Sequence, residues 1–422
     1  MLSRAEKVAG GLALVLALLH QAFFADSGTD LAAQLARASF ARAAPLTPVD
    51  LSWYGGVHPF AYSLLSPWVM AVLGVGVSGV LAAVAAAILF ARLLSDLERP
   101  VLSGSIGAFF AVADVASGRT TFALGAVTLL AALLCRERRG WAILFAVLTA
   151  LLSPVAAAFL GFCAGVLVLH RRPGGWTLGL ATAVPVIALG VLFPSGGVQP
   201  FDLPAAAPAL AVALALAVLT TQPLVRTGAL LYAVAVLVFL GHADPFGSNV
   251  LRLGILTSAS LALATSRRST VLCALVAVGS LGWQLDPLHG DLGARPGPEL
   301  AALTAELVSL DAKRVEVVAP AQHRESWVVA GRVPLARGWA RQIDYRDNRL
   351  FYKGTLTGDV YLRWLHGHAV DHLAVPTHTT VDFGSTRELA LLRKPLAGLT
   401  QVWQDRDWRI FAVDEATPIA AA

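Results

Sequence analysis

Residues 25–67 read ADSGTDLAAQLARASFARAAPLTPVDLSWYGGVHPFAYSLLSP and lie between two long apolar segments. Nearly everything else in the first 290 residues is apolar, whereas this stretch carries residue types that bind and transform ligands: Asp26, Asp30, Asp50, Trp53, Tyr54, His58 and Tyr62. A connection of about 40 residues without its own secondary structure is uncommon and is usually functional or disordered. It contains no low-complexity run, so we expect the loop 25–66 to be functional.

The composition is that of a membrane protein. The 422 residues are 56% hydrophobic and only 14% charged, with a mean hydropathy of +0.67, whereas soluble domains carry about 25% charged residues. The net charge of +5 falls in short loops rather than on one basic face. We therefore expect the lipid bilayer, and not nucleic acid, as a partner. Cys135, Cys163 and Cys273 all lie in apolar segments and predict no disulfide framework or thiolate metal site.

Eleven apolar segments predict eleven membrane-spanning helices. The first follows Arg4 and Lys7, and its apolar run is longer than most signal-peptide cores, so we assign it as a helix. The second is separated from it by the loop 25–66. A kinked single helix is the alternative for the pair that meets at Ser153–Pro154. The eleven segments are 8–24, 67–91, 101–117, 120–135, 141–152, 154–169, 176–194, 206–221, 227–241, 249–266 and 270–285.

Positive charge favours eleven spans with a cytoplasmic N-terminus, because Lys and Arg concentrate in cytoplasmic loops. One set of alternate loops holds Arg4, Lys7, Arg92, Arg99, Arg136, Arg138, Arg139, Arg171, Arg172, Arg226, Arg267 and Arg268. The opposite set holds only Arg37, Arg42 and Arg119. Merging 141–169 into one span would place one arginine cluster outside. This topology predicts a multi-pass plasma-membrane protein whose loop 25–66 and C-terminus are extracytoplasmic.

The composition changes near residue 286, after which charged residues occur throughout and no segment is apolar enough to span. Residues 298–310 and 361–368 predict helices, and residues 314–318, 372–375 and 408–413 predict strands. We therefore expect a mainly α protein. A transmembrane helical bundle over residues 1–285 includes the outer loop 25–66, and a small extracytoplasmic α/β domain follows over residues 286–422.

Asp30 and Asp50 are the candidates for a catalytic base. Asp26 and Asp30 share a face if the first helix continues beyond the membrane, and Gln34 and Arg37 extend this polar stripe. A carboxylate at the boundary of water and lipid is suited to deprotonate a sugar or protein hydroxyl. A solvated helix face with one N-capping Asp is the alternative. Asp50 stays a candidate because it leads directly into the aromatic turn.

Arg119 and Arg252 are candidates for binding a lipid phosphate, since a planar guanidinium suits that group. Asp114 and Arg119 flank a short turn between two predicted spans, where ionisable residues tend to mark function. A structural salt link is the alternative there. Arg252 lies a few residues into a span near His242 and Asp244, and its alternative is a snorkelling side chain.

The aromatic residues of the loop suggest sugar binding. Trp53, Tyr54 and Tyr62 could stack on a sugar ring, although aromatic residues at a bilayer boundary commonly act as interface anchors. His58 lies in a loop between two glycines and a proline, and ordinary packing is its alternative. The candidate substrate-binding residues are Asp26, Trp53, Tyr54, His58, Tyr62, Asp114, His242 and Asp244.

Several common cofactor motifs are missing from the sequence. It has no P-loop, no Gly-rich dinucleotide fingerprint, no HExxH and no paired CxxC. The sequence therefore does not favour ATP-driven transport, flavin chemistry or zinc proteolysis. No cluster of Asp, Glu and His is dense enough to predict a metal site, and a divalent metal stays open as a cofactor.

Several segments resemble known membrane proteins. Residues 30–34 (DLAAQ) after one helix, followed by the aromatic segment 53–63 (WYGGVHPFAYS), resemble the first outer loop of class C (GT-C) membrane glycosyltransferases. Residues 113–125 (ADVASGRTTFALG) resemble the helical hairpin of bacterial lipid-linked sugar transferases. Residues 334–339 (PLARGW) and 348–352 (NRLFY) resemble segments of large actinobacterial membrane proteins.

The resemblance implies a glycosyltransferase that moves a sugar from a polyprenyl-phosphate donor to a hydroxyl of a cell-envelope glycan or lipid acceptor. An Asp of the outer loop would be the base. The loop has Asp-Leu where many members have Asp-Glu or Glu-Asp, so the choice between Asp30 and Asp50 stays open. A secondary transporter is an alternative, although the spans show no clear internal repeat. A non-catalytic scaffold for envelope assembly is another.

Overall fold

The computed structural model describes residues 1–194, 196–266, 270–293, 299–354 and 356–419. The protein is mainly helical, with 64% helix and one small sheet, as the sequence predicted. It divides into two compact units. The helical unit comprises Met1–Ser27 and Phe60–Gly293, and the α/β unit comprises Gly28–Pro59 and Ala294–Ala422.

Nineteen helices and four strands occur in these described ranges. The helices up to residue 293 are α1 (Arg4–Phe24), α2 (Leu31–Ala43), α3 (Pro59–Tyr62), α4 (Ser66–Leu73), α5 (Val75–Leu93), α6 (Pro100–Ala116), α7 (Thr120–Leu134), α8 (Arg139–Leu152), α9 (Pro154–Leu169), α10 (Gly175–Leu192), α11 (Leu203–Leu219), α12 (Pro223–Gly241), α13 (Leu251–Thr265) and α14 (Thr270–Gly293). The later elements are α15 (Ala301–Ser309), β1 (Val315–Val317), α16 (Glu325–Val328), α17 (Arg341–Asp347), α18 (Gly358–Gly367), β2 (His372–Pro376), α19 (Thr386–Leu391), β3 (Leu399–Gln404) and β4 (Trp408–Val413).

Four helices, α1, α5, α10 and α12, are long and apolar enough to cross a membrane. Spanning the hydrocarbon core takes about 20 residues, so these helices suggest a membrane protein. Each of the eleven predicted segments is helical, but the segment 67–91 contains two helices, since Gly74 (φ +85) separates α4 from α5. Arg267 and Arg268, which contributed to the predicted topology, lie outside the described residues.

The segment 141–169 is two helices rather than one kinked helix. Helix α8 ends at Leu152, and Ser153 is extended, with φ −157° and ψ 114°. The Ser153 hydroxyl accepts a hydrogen bond from the Ala156 N–H at 3.3 Å, and Pro154 begins α9. Proline suits this first position because an N–H there would have no partner within the helix.

Small residues pack α1, α5 and α6 together. A Cβ added to Gly104 of α6 would lie 3.0 Å from the Ala91 methyl group of α5. Small side chains let helix backbones approach closely, and this close packing is a main source of helix association in a membrane. The buried alanines of this cluster are Ala9, Ala13, Ala17, Ala82, Ala83, Ala87, Ala91, Ala108 and Ala123.

The α/β unit contains a four-stranded mixed sheet with the order β1-β2-β4-β3. β1 and β2 are parallel, and β4 is antiparallel to both β2 and β3. The strands predicted at 314–318, 372–375 and 408–413 are confirmed as β1, β2 and β4. The helices predicted at 298–310 and 361–368 correspond to α15 and α18, although residue 298 lies outside the described residues. The sequence did not predict β3, an edge strand with mostly exposed side chains.

Residues 28–59 belong to the α/β unit, which differs from the predicted assignment of the loop 25–66 to the membrane domain. Ala33 of α2 and Trp53 pack into one core with residues of α15 and β1. The Trp53 indole N–H donates to the Ser326 carbonyl at 2.9 Å. The Trp327 indole N–H lies 3.2 Å from the Ser39 hydroxyl of α2 and donates to it. The polar stretch therefore completes a folded domain.

The polar stripe predicted along α2 is not a solvated surface. Helix α1 ends before Asp26, so Asp26 and Asp30 do not share a helix face. Gln34 is 1% exposed, and the Arg37 guanidinium lies 5.8 Å from the centre of the Trp53 ring. The alanines of α2 explain the difference, because their small buried face lets the helix pack into the domain core.

We expect Trp53→Ala to lower the free energy of unfolding of the α/β unit by about 3–5 kcal/mol, because it leaves a cavity in the core. Denaturant unfolding of the detergent-purified full chain measures this. Trp176→Ala is the matched control, since Trp176 is 71% exposed. Equal small losses in both variants would contradict the core position of Trp53.

Candidate functional site

A large apolar cavity lies within the helical unit. Its volume is about 680 Å³, and residues of α5, α6, α7, α9, α11, α12 and α13 line it. Most of the lining side chains are Ala, Leu, Val and Phe; Phe122, Phe159 and Phe162 are among the largest. Small-molecule sites typically occupy about 300–1,000 Å³ and are mostly apolar with a few polar groups. The size and the lining suit a hydrophobic ligand.

The cavity runs along the helices between two polar ends. Asp114 and Phe122 line one end, and Arg136 and Arg172 line the other. On α7 the lining extends from Phe122 to Leu133, which is roughly 16 Å at the helical rise per residue. This shape fits an extended apolar chain that carries a polar head.

The Asp114 end brings together three residues that the sequence indicated. Arg119 Nη1 lies 3.7 Å from Asp114 Oδ1, and the Arg119 backbone N–H donates to the Asp114 carbonyl at 3.2 Å. The guanidinium carbon of Arg252 lies 5.5 Å from the centre of the Phe122 ring. Gly118 (φ +82) permits the tight reversal between α6 and α7 that places Asp114 beside Arg119. Each of the two lining residues therefore contacts an arginine.

The salt link considered for Arg119 is present, but it is long. Charge-assisted N–H···O bonds are typically about 2.7–2.9 Å, compared with 3.7 Å for Arg119 and Asp114. Arg119 and Arg252 are not among the residues that line the cavity, but each lies beside a side chain that does.

Asp244 and His242 have other positions in the described structure and do not line the cavity. Asp244 Oδ1 accepts hydrogen bonds from the N–H groups of Phe246 at 2.6 Å and Gly247 at 3.1 Å. This turn leads into α13, the helix that carries Arg252. Asp244 therefore stabilises this turn, and the His242 side chain is exposed; the role of both residues in substrate binding stays a prediction.

Asp26 and Tyr62 are both exposed, at the start and end of the polar stretch. Asp26 lies in the turn after α1, and Tyr62 ends the short helix α3 with 37% of its surface exposed. Neither residue is among those that line the cavity. Their role in substrate binding stays a prediction.

Asp30 and Asp50 occupy different environments in the α/β unit. Asp50 is 8% exposed, and its Oδ1 accepts a hydrogen bond from the Ser52 N–H at 2.9 Å. Its backbone exchanges two 2.8 Å hydrogen bonds with Val57, which closes the aromatic turn. Asp30 is half-buried just before α2, and its side chain does not cap that helix. The Asp50 carboxylate therefore stabilises the turn, and the assignment of the base to Asp30 or Asp50 stays a prediction.

Trp53, Tyr54 and His58 do not form an exposed aromatic platform. Trp53 is 3% exposed, which leaves no open face of its indole for a sugar. The Tyr54 hydroxyl donates to the Gly338 carbonyl at 2.5 Å. His58 is exposed, with Nδ1 3.1 Å from the Pro48 carbonyl oxygen. The predicted sugar stacking of Trp53 is therefore wrong, because long-range packing buries the ring.

The α/β unit contains a buried charge cluster that the sequence does not predict. Arg337 donates to both carboxylate oxygens of Asp344, at 2.9 and 2.7 Å, and reaches Glu316 at 3.3 Å and Glu388 at 3.2 Å. Burial raises the pKa values of Glu316 and Glu388, and the negative charges of Glu388 and Asp344 raise the pKa of Glu316 further. Burial opposes ionisation of Asp344 too, but the Arg337 charge outweighs it and lowers the pKa of Asp344.

His323 belongs to a second set of ion pairs, which Arg341 and the Tyr352 hydroxyl join to Asp344 of this cluster. Its ring stacks on Trp339 with centroids 3.7 Å apart, and its nitrogens lie 3.1 Å from Glu325 Oε1 and 3.3 Å from Asp382 Oδ1. Arg341 also pairs with Asp382, at 2.6 Å. Burial opposes protonation, but the two carboxylates outweigh it and raise the pKa of His323 to about 9.

The space enclosed by this cluster is only about 20 Å³. A cavity of roughly 10–15 Å³ holds one water molecule, so the cluster can take one water and not a sugar or a nucleotide. We interpret it as the polar core of the α/β unit. No sequence signal marks it, because its charged residues lie far apart along the chain and each looks like a surface residue.

Across the described residues, no group of three or more His, Cys, Asp or Glu side chains is arranged to hold a metal ion. In comparisons with known proteins, no family model matches the chain, and no curated protein matches it.

We expect the α/β unit to lose stability above neutral pH through His323. The pKa of His323 in the folded protein is about 9, above the value of about 6.5 in an unfolded chain. Its contribution is therefore fully present below about pH 6.5 and is lost as the pH rises through about 9. In His323→Gln this loss is absent, so the difference in unfolding free energy from wild type shrinks by about 3 kcal/mol between pH 6 and pH 10.

Unfolding of the purified chain across this pH range measures the effect. His378→Gln is the control, because His378 is exposed in the same unit. A difference between wild type and His323→Gln that stays constant with pH would show that His323 is not held protonated by its carboxylates.

Proposed function

We propose that this protein is an integral-membrane glycosyltransferase. It moves a sugar from a polyprenyl-phosphate donor to a hydroxyl of a cell-envelope glycan or lipid. The observation that carries the proposal is the apolar cavity, which ends at Asp114 and Phe122 beside Arg119 and Arg252. An elongated apolar cavity with cationic groups at its end suits a lipid chain joined to a phosphate.

The arginines support the leaving group in this proposal. In the transfer step the acceptor hydroxyl loses its proton to a base, and its oxygen attacks the anomeric carbon of the sugar. The bond from that carbon to the phosphate oxygen breaks, and polyprenyl phosphate leaves with the electron pair. Negative charge therefore grows on the phosphate, where Arg119 and Arg252 stabilise it through charge-assisted hydrogen bonds.

Asp30 is the base we propose, ahead of Asp50. Asp30 is half-buried and lies just before the first residue of α2. Asp50 is buried and accepts from the Ser52 N–H, so its carboxylate already stabilises a turn. A general base contributes about 10²–10⁴-fold to rate. The rest of the α/β unit orients the acceptor glycan in this proposal.

The two-part make-up of the α/β unit supports the eleven-span topology. Residues 28–59 and the C-terminal residues fold as one unit, and a folded unit lies on one side of a membrane. The chain between them must then cross an even number of times. Ten predicted spans lie there, whereas merging 141–169 would leave an odd number. With the arginine-rich loops cytoplasmic, the α/β unit is extracytoplasmic at the plasma membrane.

Sugar transfer by the purified chain, with polyprenyl-phosphate sugars and envelope acceptors, tests the proposal. We expect activity in wild type and a loss of about 10²–10⁴-fold in kcat for Asp30→Asn, because a general base is removed. Asp50→Asn keeps an acceptor for the Ser52 N–H and should retain most activity.

Asp311→Asn is the matched control, since the Asp311 side chain is 83% exposed in the same unit. Loss in Asp50→Asn with full activity in Asp30→Asn would assign the base to Asp50. Full activity in both variants would remove the outer carboxylates from the mechanism. A wild-type protein that binds donor lipid and envelope enzymes without any transfer would indicate a scaffold.

A further inference from the structure

The end of the cavity opposite Asp114 has its own polar groups. Arg136, Arg172, Asp96 and Gln222 line it. Arg136 follows the C-terminal end of α7, Arg172 follows α9, and Asp96 follows α5. Gln222 precedes the first residue of α12. The Asp96, Arg172 and Gln222 side chains are exposed, so this end of the cavity is open. The proposed transfer reaction does not use it.

The two arginines lie on neighbouring turns with a fixed backbone. Gly174 (φ +84) packs so closely on the Arg136 carbonyl that a Cβ at this position would overlap it. The Arg172 N–H donates to the Leu167 carbonyl at 2.8 Å, and Arg136 Nη1 donates to the Leu133 carbonyl at 3.3 Å. The turns after α7 and α9 are therefore joined, and they present both guanidinium groups at one opening.

The charge around this opening is positive. The same two turns carry Arg138, Arg139 and Arg171 in addition to the two lining arginines. Opposing them, Glu137 pairs with Arg136 at 3.3 Å and is 63% exposed, and Asp96 lines the opening. Five cations against two carboxylates leave a field that attracts an anion.

We propose that this opening binds the phosphate of an anionic phospholipid, with an acyl chain extending into the cavity. The apolar wall begins directly behind the arginines, at Leu133 and Leu167. A soluble anion would leave that wall exposed to water, whereas a lipid covers it and gains burial of apolar surface. Anionic lipids attract basic segments close to a membrane surface. The site holds a lipid whether or not the protein transfers a sugar.

Native mass spectrometry of the full-length protein, titrated with phosphatidylglycerol or phosphatidylcholine of identical acyl chains, tests this site. We expect phosphatidylglycerol to bind more tightly. The paired variant Arg136→Gln/Arg172→Gln should weaken its binding at least about tenfold, a change equivalent to losing one charge-assisted contact. Arg138→Gln/Arg171→Gln should weaken its binding much less, because it removes the same charge from the same two turns without touching the cavity lining.

Two further variants guard against misfolding. Arg136→Lys/Arg172→Lys keeps the charge and should retain most of the preference for phosphatidylglycerol. Ala229→Phe fills the cavity and should weaken the binding of both lipids.

Equal binding of the two lipids by wild type, or equal loss of phosphatidylglycerol binding in the two glutamine pairs, would overturn the proposal. Displacement by glycerol phosphate would show a site for soluble anions instead. If polyprenyl phosphate binds more tightly than phosphatidylglycerol, and Arg136→Gln/Arg172→Gln abolishes that binding, the opening is a site for polyprenyl phosphate.

Discussion

The burial of Trp53 beside Ser326 is the interaction on which the architecture depends. It joins residues 273 positions apart in sequence through a 2.9 Å hydrogen bond within the core of the α/β unit. Residues 28–59 and the C-terminal segment fold as one unit, although the helical segment Phe60–Gly293 lies between them in sequence. The same contact turns the polar stretch from a flexible loop into part of a domain, so the environments of Asp30 and Asp50 are fixed by that domain's core.

In the helical unit, side-chain size determines where helices touch and where they separate. The alanines of α1, α5 and α6 allow close contact, and close packing of small residues is how helices associate in a membrane. Between α7, α12 and α13 the larger Phe, Leu and Tyr side chains surround an open volume of about 680 Å³. Placing ionisable groups near apolar spans costs a few kcal/mol. Their position at the two ends of the cavity is consistent with a ligand that has a charged head.

The sequence predicts the helices well, because long apolar runs leave few alternatives, and it predicts three of four strands from alternation and β-branched residues. The sequence also identifies Asp114 and Arg119 as candidate site residues, because charged residues are rare in apolar segments. It does not identify Phe122, because a Phe in an apolar helix gives the same pattern whether it packs against a neighbour or lines a cavity. The burial of Trp53 and the cluster around Arg337 depend on partners distant in sequence. No local pattern distinguishes them from surface residues.

The position of the donor lipid is the most direct test of the claim that the apolar cavity holds it. A polyprenyl-phosphate sugar with a photoreactive group on its first isoprene units can be cross-linked to the full chain, and the attached peptides identified by mass spectrometry. If the cavity holds the donor, we expect labels on cavity residues of α7, α12 and α13 such as Ala126, Tyr232 and Leu253, with labelling reduced in Arg119→Gln and Arg252→Gln. Labels confined to exposed faces such as Leu180 and Val184 of α10 would contradict it.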